Sequence, residues 1–257
     1  MEIGYTEAGR GVPLVLLHPF PLTAATWAAQ RTGLATDCRV ITPDQRGFGA
    51  TPKLPDDEPD LGAVADDVRE LLDLLDLPTV VLGGLSMGGY VAFEFLRRYP
   101  DRVAGLLLAD TRATADAPAA AEKRHAIAAR VEADGDASVL RREVVPNLIG
   151  GTTRWQRPEV YETVAALAVA QSPAAVAWAE RAMAARPDST GLLPDIAVPT
   201  LVIVGEDDAL TPPEEAVVMA NGIPGAALRR IPAAGHLTAL EAPERFNAAV
   251  RTLLARI

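Results

Sequence analysis

Short apolar, β-branched or leucine-rich runs recur along the chain at "VPLVLLH" (12–18), "RVITPD" (39–44), "TVVLGGL" (79–85), "VAGLLLAD" (103–110) and "TLVIVGE" (200–206). Runs of this length without polar alternation predict strands buried on both faces, as in a parallel sheet. "ALRRIP" (227–232) predicts a weaker sixth strand. Between these runs the period changes. Over 61–77, Leu61, Val64, Val68, Leu71, Leu72 and Leu75 recur at three- and four-residue steps, while Asp66, Asp67, Arg69, Glu70 and Asp73 are expected to point outward. Strands alternating with helices predict an α/β architecture, a mostly parallel central sheet flanked by helices.

After Asp110 the pattern breaks. Residues 113 to about 187 are alanine-rich and contain no convincing strand, with helix boundaries expected near Pro118, Gly135, Pro146, Pro158 and Pro173. The stretch reads as a helical insertion between two strands. The segment 186–199 returns the chain to the sheet, and "APERFNAAVRTLLARI" closes it as an amphipathic helix.

Composition narrows what such a fold serves. With 257 residues and 49% hydrophobic content the chain can bury a large core, which excludes a disordered protein. A net charge of −10 argues against a nucleic-acid partner, since neutralising phosphates needs a basic surface. Cys38 is the single cysteine, so no intramolecular disulfide can form. The leading "MEIGYTEAGR" carries Glu2 and Glu7 where a signal peptide needs a basic start and an apolar centre. No apolar run approaches the length of a membrane span. A soluble, cytoplasmic protein without membrane attachment is expected.

The candidate chemistry begins at "GGLSMGGY" (83–90), where Ser86 stands in a G-x-S-x-G pattern between an apolar strand and the helix-like "YVAFEFLRRYP". A strand-turn-helix of this kind is a nucleophile elbow, which holds its serine in a strained conformation and needs tiny neighbours. Gly84 and Gly88 supply them, and Gly89 is expected to let the helix approach the sheet. N–H groups at the start of that helix point toward the serine oxygen, so Met87 N–H is a candidate oxyanion donor. The competing reading is a glycine-rich turn that simply needs a small residue.

A serine nucleophile requires a base. Of three histidines, His125 lies in a charged, alanine-rich helical stretch and His18 ends a strand. His236 lies in the loop "AAGHLTALEAPERF" after the last strand, beside Gly235, and is the candidate base. For the orienting acid, Asp207 and Asp208 follow a buried strand in "VIVGEDDALTPPEE", where α/β sheets build their sites. Thr211, Pro212 and Glu214 read as a helix start with Thr211 as the cap. Asp110 also follows a buried strand and competes for the role of the acid. No cysteine and histidine cluster offers a metal site.

These residues carry a resemblance that covers essentially the whole chain. The sequence resembles the α/β-hydrolase superfamily, and within it the small enol-lactonases, carboxylesterases and cofactor-free haloperoxidase-type esterases. The order Ser86, Asp208, His236 is the order of nucleophile, acid and histidine in that superfamily. Its usual G-x-x-D spacing, counted from Gly205, selects Asp208 over Asp207. "GEDDALTPP" and "GHLTALEAPERFN" are similar to enol-lactonase segments, and "HPFPLTAATW" and "DQRGFGATP" to haloperoxidase-type esterases.

The resemblance implies an α/β-hydrolase core at 1–110 and 193–257 and a helical cap at 111–192. It also places the second oxyanion donor in "HPFP", where Pro19 replaces the usual glycine. Pro19 and Pro21 lack N–H groups, which leaves Phe20 as that donor. His18 is then a loop anchor, and Asp44, Arg46, Gly47 and Gly49 form a scaffold turn. Trp155, Tyr161, Trp178 and Met183 are candidate pocket walls, and Arg124, Arg130, Arg154 and Arg157 are candidates to meet a substrate carboxylate. The implied activity is cofactor-free hydrolysis of a small ester or lactone. C–C bond hydrolysis or perhydrolysis would use the same triad, and a ligand-binding receptor on the hydrolase fold is the reading from another class. Aspartate-nucleophile chemistry is disfavoured because Ser86 holds that position.

Overall fold

In the computed structural model of the protein, which describes residues 3–51, 54 and 58–257, the apolar runs lie side by side in one seven-stranded sheet. Glu2 and Pro52, used in the sequence reading, lie outside the described residues. The strands are β1 (Tyr5–Ala8), β2 (Pro13–Leu17), β3 (Arg39–Pro43), β4 (Val80–Leu85), β5 (Val103–Ala109), β6 (Thr200–Gly205) and β7 (Ala227–Ile231). Their order is β1-β3-β2-β4-β5-β6-β7, with β1 antiparallel to β3 and every other pair parallel. β1 is the strand that the apolar pattern does not announce. It is a short, largely exposed edge strand held by pairing to β3, so it needs no apolar run.

Helices α1 (Ala28–Leu34), α2 (Leu61–Leu74) and α3 (Met87–Arg98) follow β2, β3 and β4. α2 starts where the Asp60 carboxylate accepts from Gly62 N–H at 2.8 Å. It buries Leu61, Val64, Val68, Leu71 and Leu72 as its period predicts. Asp67 departs from that expectation: it is buried, because Arg46 of the "DQRGFG" turn binds it in bidentate fashion at 2.7 and 2.8 Å. The same turn is laced by Asp44, which accepts from Ala24 N–H at 2.7 Å and Ala50 N–H at 2.9 Å.

Between β5 and β6 the chain forms α4 (Pro118–Asp134), α5 (Val139–Glu143), α6 (Gly151–Gln156), α7 (Pro158–Val169) and α8 (Pro173–Ala185). Prolines open α4, α7 and α8, where a missing N–H costs nothing. Gly135 ends α4 in the left-handed region at φ 70°. α9 (Pro213–Gly222), α10 (Thr238–Glu241) and α11 (Pro243–Leu254) complete the chain. Among the described residues no single helix is long and apolar enough to cross a membrane.

The topology also positions the site. β3 lies on one side of β2 and β4 on the other, so the carboxyl ends of β2 and β4 flank a switch point, where open α/β sheets leave a crevice. Because β2 and β4 to β7 run parallel, the loops bearing Phe20, Ser86, Asp110, Asp208 and His236 leave the sheet at one edge.

Candidate active site

Ser86 joins β4 directly to α3 with φ 53° and ψ −115°, a conformation that non-glycine residues adopt only when their surroundings impose it. Its own N–H donates to Ala109 O at 2.9 Å, and its carbonyl accepts from Gly89 N–H at 2.8 Å and from the Thr111 hydroxyl at 2.9 Å. The flanking glycines admit no side chain. A Cβ on Gly84 would lie 2.1 Å from Gly88 O, and one on Gly88 would lie 2.2 Å from Leu17 O at the end of β2. These two glycines bring helix and sheet together. Gly89 does something other than expected: its missing Cβ leaves room for the Thr111 side chain, which a Cβ would approach to 2.4 Å.

The loops after β6 and β7 meet at this serine. His236 Nε2 lies 2.8 Å from Ser86 Oγ, and His236 Nδ1 lies 3.0 and 2.9 Å from the two carboxylate oxygens of Asp208. Asp208 can only accept, so Nδ1 carries the ring proton and Nε2 accepts from the serine hydroxyl. Asp208 also receives Leu210 N–H and Thr211 N–H, both at 2.9 Å, and the Thr211 hydroxyl at 2.7 Å. Burial opposes its charge, but the adjacent His236 and the Thr211 donors outweigh it and hold the carboxyl below its ordinary range. Thr211 therefore serves Asp208 and does not cap a helix, and Pro212 takes the cap position of α9.

Asp110 occupies a parallel position one strand away but does not reach the histidine. It accepts from Gly205 N–H at 3.0 Å, from Thr238 N–H at 3.0 Å and from the Thr238 hydroxyl at 2.5 Å. Full burial and the nearby Asp208 push its carboxyl well above the ordinary range, against those hydrogen bonds. Glu241, also buried, was not singled out from the sequence. It accepts from the N–H groups of Gly235 and Leu237, which flank His236, at 3.0 and 3.2 Å, and from Gly150 N–H in the insertion at 3.0 Å. Its position one turn beyond the histidine loop is a faint signal at best, since an acidic residue there is equally suited to the surface.

Phe20 lines the site, and Met87 follows Ser86 directly. Met87 opens α3, and among the described residues neither its N–H nor that of Phe20 donates to another group. Leu22 N–H closes the Pro19 turn at 2.9 Å, and the Phe20–Pro21 peptide within it is cis. His18 is buried behind this turn, with Nε2 accepting from Gln45 N–H at 3.0 Å and Nδ1 3.1 Å from Pro19 O. Burial lowers it to about 4, against the opposing pull of Pro19 O and Asp44. His125 is exposed on α4.

Ser86, His236 and Phe20 line a cavity of about 190 Å³ together with Ile127, Leu148 and Met183 of the insertion. Of the expected pocket walls, only Met183 lines it. Trp155 is 81% exposed on α6. Trp178 is turned onto Arg46, whose guanidinium lies 5.5 Å from its ring centroid, so it joins α8 to the scaffold turn instead. Tyr161 stacks with Arg154 at 4.6 Å. Among the arginines considered for a carboxylate, Arg124 reaches the cavity but is bound to Asp116 at 2.5 Å and Glu180 at 2.8 Å. Among the described residues no group of three or more His, Cys, Asp and Glu side chains is placed to hold a metal ion.

Comparison with known proteins identifies the family of the chain. The family model described as the alpha/beta hydrolase fold matches residues 12–243. A thermophilic esterase from Thermogutta terrifontis is 45% identical, with a TM-score of 0.95 over 98% of this chain and 93% of that one. The enol-lactonase from Burkholderia xenovorans LB400 is 25% identical, with a TM-score of 0.88 over 98% of this chain and 96% of that one. A pimeloyl-[acyl-carrier protein] methyl ester esterase of Aromatoleum aromaticum is 33% identical over 90% of this chain and 93% of its own length.

Proposed function

Since the chain belongs to the α/β hydrolase fold family, we propose that it is a serine hydrolase cleaving a carboxylic ester or lactone through an acyl-enzyme. The observation that carries this reading is the 2.8 Å approach of His236 Nε2 to Ser86 Oγ with Asp208 on the far ring nitrogen. His236 takes the serine proton as Oγ attacks the carbonyl, and Asp208 holds the ring tautomer and stabilises the imidazolium. The free N–H groups of Phe20 and Met87 receive the negative charge of the tetrahedral intermediate, with the positive end of α3 behind Met87. His236 then protonates the leaving alcohol, and a water activated by His236 releases the acid. The segment 111–192 acts as a cap whose inner face, including Met183, shapes the acyl and alcohol sites.

The test is Ser86→Ala, which is expected to fold as the wild type does and to lose nearly all turnover of short p-nitrophenyl esters. Retained turnover in the purified variant would overturn the nucleophile assignment. Product analysis on diketones, and on esters with and without peroxide, separates ester hydrolysis from C–C hydrolysis and perhydrolysis by the same three side chains.

A further inference from the structure

The cavity contains a cation whose charge the protein does not use. Arg112, just after β5, lines the cavity together with Ser86 and His236. Its one hydrogen bond among the described residues runs from Nη2 to Leu210 O, its Nε is buried without a partner, and no carboxylate lies within ion-pair distance. The acids of the wall are already satisfied. Asp116 is bound by Arg124 at 2.5 Å and Arg186 at 2.8 Å, and Glu180 by Arg124 at 2.8 Å, so these four charges cancel. The remaining charged residues of the lining, Lys123 and Glu143, are opposite in sign and both exposed to screening water. What is left facing a ligand is the positive charge of Arg112.

A half-buried guanidinium beside a nucleophile, with one Nη2 N–H on Leu210 O and no other hydrogen bond among the described residues, still has terminal N–H groups to offer a planar anion, and a carboxylate accepts two of them at once. We propose that the substrate is an ester or lactone that itself carries a carboxylate, and that Arg112 binds that carboxylate while Ser86 attacks the ester carbonyl. The inference rests on the serine-hydrolase reading and adds the substrate class to it. Arg112 acts here on specificity, and its bond to Leu210 O also braces the loop that carries Asp208.

The experiment compares kcat/KM for the monoethyl esters of succinate, glutarate and adipate with ethyl butyrate, valerate and hexanoate as neutral counterparts. The wild type is expected to favour one half-ester by at least about tenfold, the effect of a hydrogen bond to a charged group. Arg112→Gln should lower kcat/KM on that half-ester at least about tenfold more than on its neutral counterpart, and Arg112→Lys should retain part of the preference. No half-ester preference in the wild type, or equal losses on both substrates, would overturn the proposal and reduce Arg112 to a loop brace. Calorimetric binding of the half-esters to Ser86→Ala, with and without Arg112→Gln, separates the two readings. Neutral-ester turnover that depends on Ser86 without Arg112-dependent discrimination removes only the role of Arg112. Arg112-dependent binding without turnover of any ester removes only the hydrolase reading.

Discussion

Two buried aspartates stand one strand apart at the carboxyl edge of the sheet, Asp110 after β5 and Asp208 beyond β6, and their surroundings are nearly copies. Each accepts two backbone N–H groups and one threonine hydroxyl, from Gly205 and Thr238 in the first case and from Leu210 and Thr211 in the second. Yet their carboxyls are displaced in opposite directions, Asp110 upward and Asp208 downward. Two things differ: Asp110 is fully buried and feels the charge of Asp208, whereas Asp208 has the His236 ring 2.9 Å away. Neutral donors of the same number offset burial only in part, and a partner able to become a cation offsets the remainder. On the proposed mechanism the two loops divide the work: Asp208 orients the base His236, and Asp110 ties the β6 end to the helix that follows His236.

The division can be broken most directly by Asp208→Asn. An amide holds the wrong imidazole tautomer, so kcat on a simple ester is expected to fall about ten-thousand-fold with little change in fold, measured by steady-state kinetics and circular dichroism. If Asp110→Asn fell as far and Asp208→Asn did not, the two roles would be reversed.

Asp110→Asn should instead act mainly on stability. Its amide would turn N–H donors toward Gly205 or Thr238, costing about 1–3 kcal/mol, with kcat kept within about tenfold of wild type. The sign of its pH dependence is also set. A carboxyl raised in the fold contributes stability that is full below its unfolded value and lost as pH rises through the folded value. The melting-temperature gap between wild type and Asp110→Asn is therefore expected to narrow as pH rises. A gap that widens toward alkaline pH would contradict the upward displacement of Asp110. Asp208 has the opposite sign, and its contribution is present at neutral pH and lost as pH falls through its lowered value.

The smallest effect comes from the threonines. Thr211→Val removes one donor from Asp208 and is expected to lower kcat about tenfold, whereas Thr238→Val, at the non-catalytic aspartate, should leave kcat within about threefold. Equal effects of the two valines in the same ester assay would erase the functional difference between the loops.

Much of this arrangement was legible along the chain. The apolar runs marked β2 to β6 because a strand buried on both faces must be apolar at nearly every position, whereas the edge strands carry a weak signal, β7 with two exposed arginines as the faint sixth run and β1 with none. Ser86 was readable from its glycines, since only a turn without side chains lets α3 approach β2. His236 was the one histidine in a loop after the last strand, and the structure sets it 2.8 Å from Ser86. The partners of these residues were much less legible. Thr211 fitted a helix cap as well as it fits Asp208, Asp67 followed the polar stripe of α2 but turns to Arg46, and Glu241 was not singled out at all.

The sequence by itself determined the buried strands and the glycine turn at Ser86, because each depends on local backbone preference and on burial of contiguous side chains, while the choice of Asp208 came from the resemblance to a family. Only the tertiary structure decided how charges are paired across the cavity and which side chains face it. Trp155 points to solvent and Trp178 to Arg46, while Arg124 is consumed by Asp116 and Glu180 and Arg112 is left over. The physical reason is range. Helix and strand are set by neighbours a few positions apart, but whether a charge is satisfied depends on residues as far apart as Arg124 and Glu180, which only the packed fold brings to 2.8 Å.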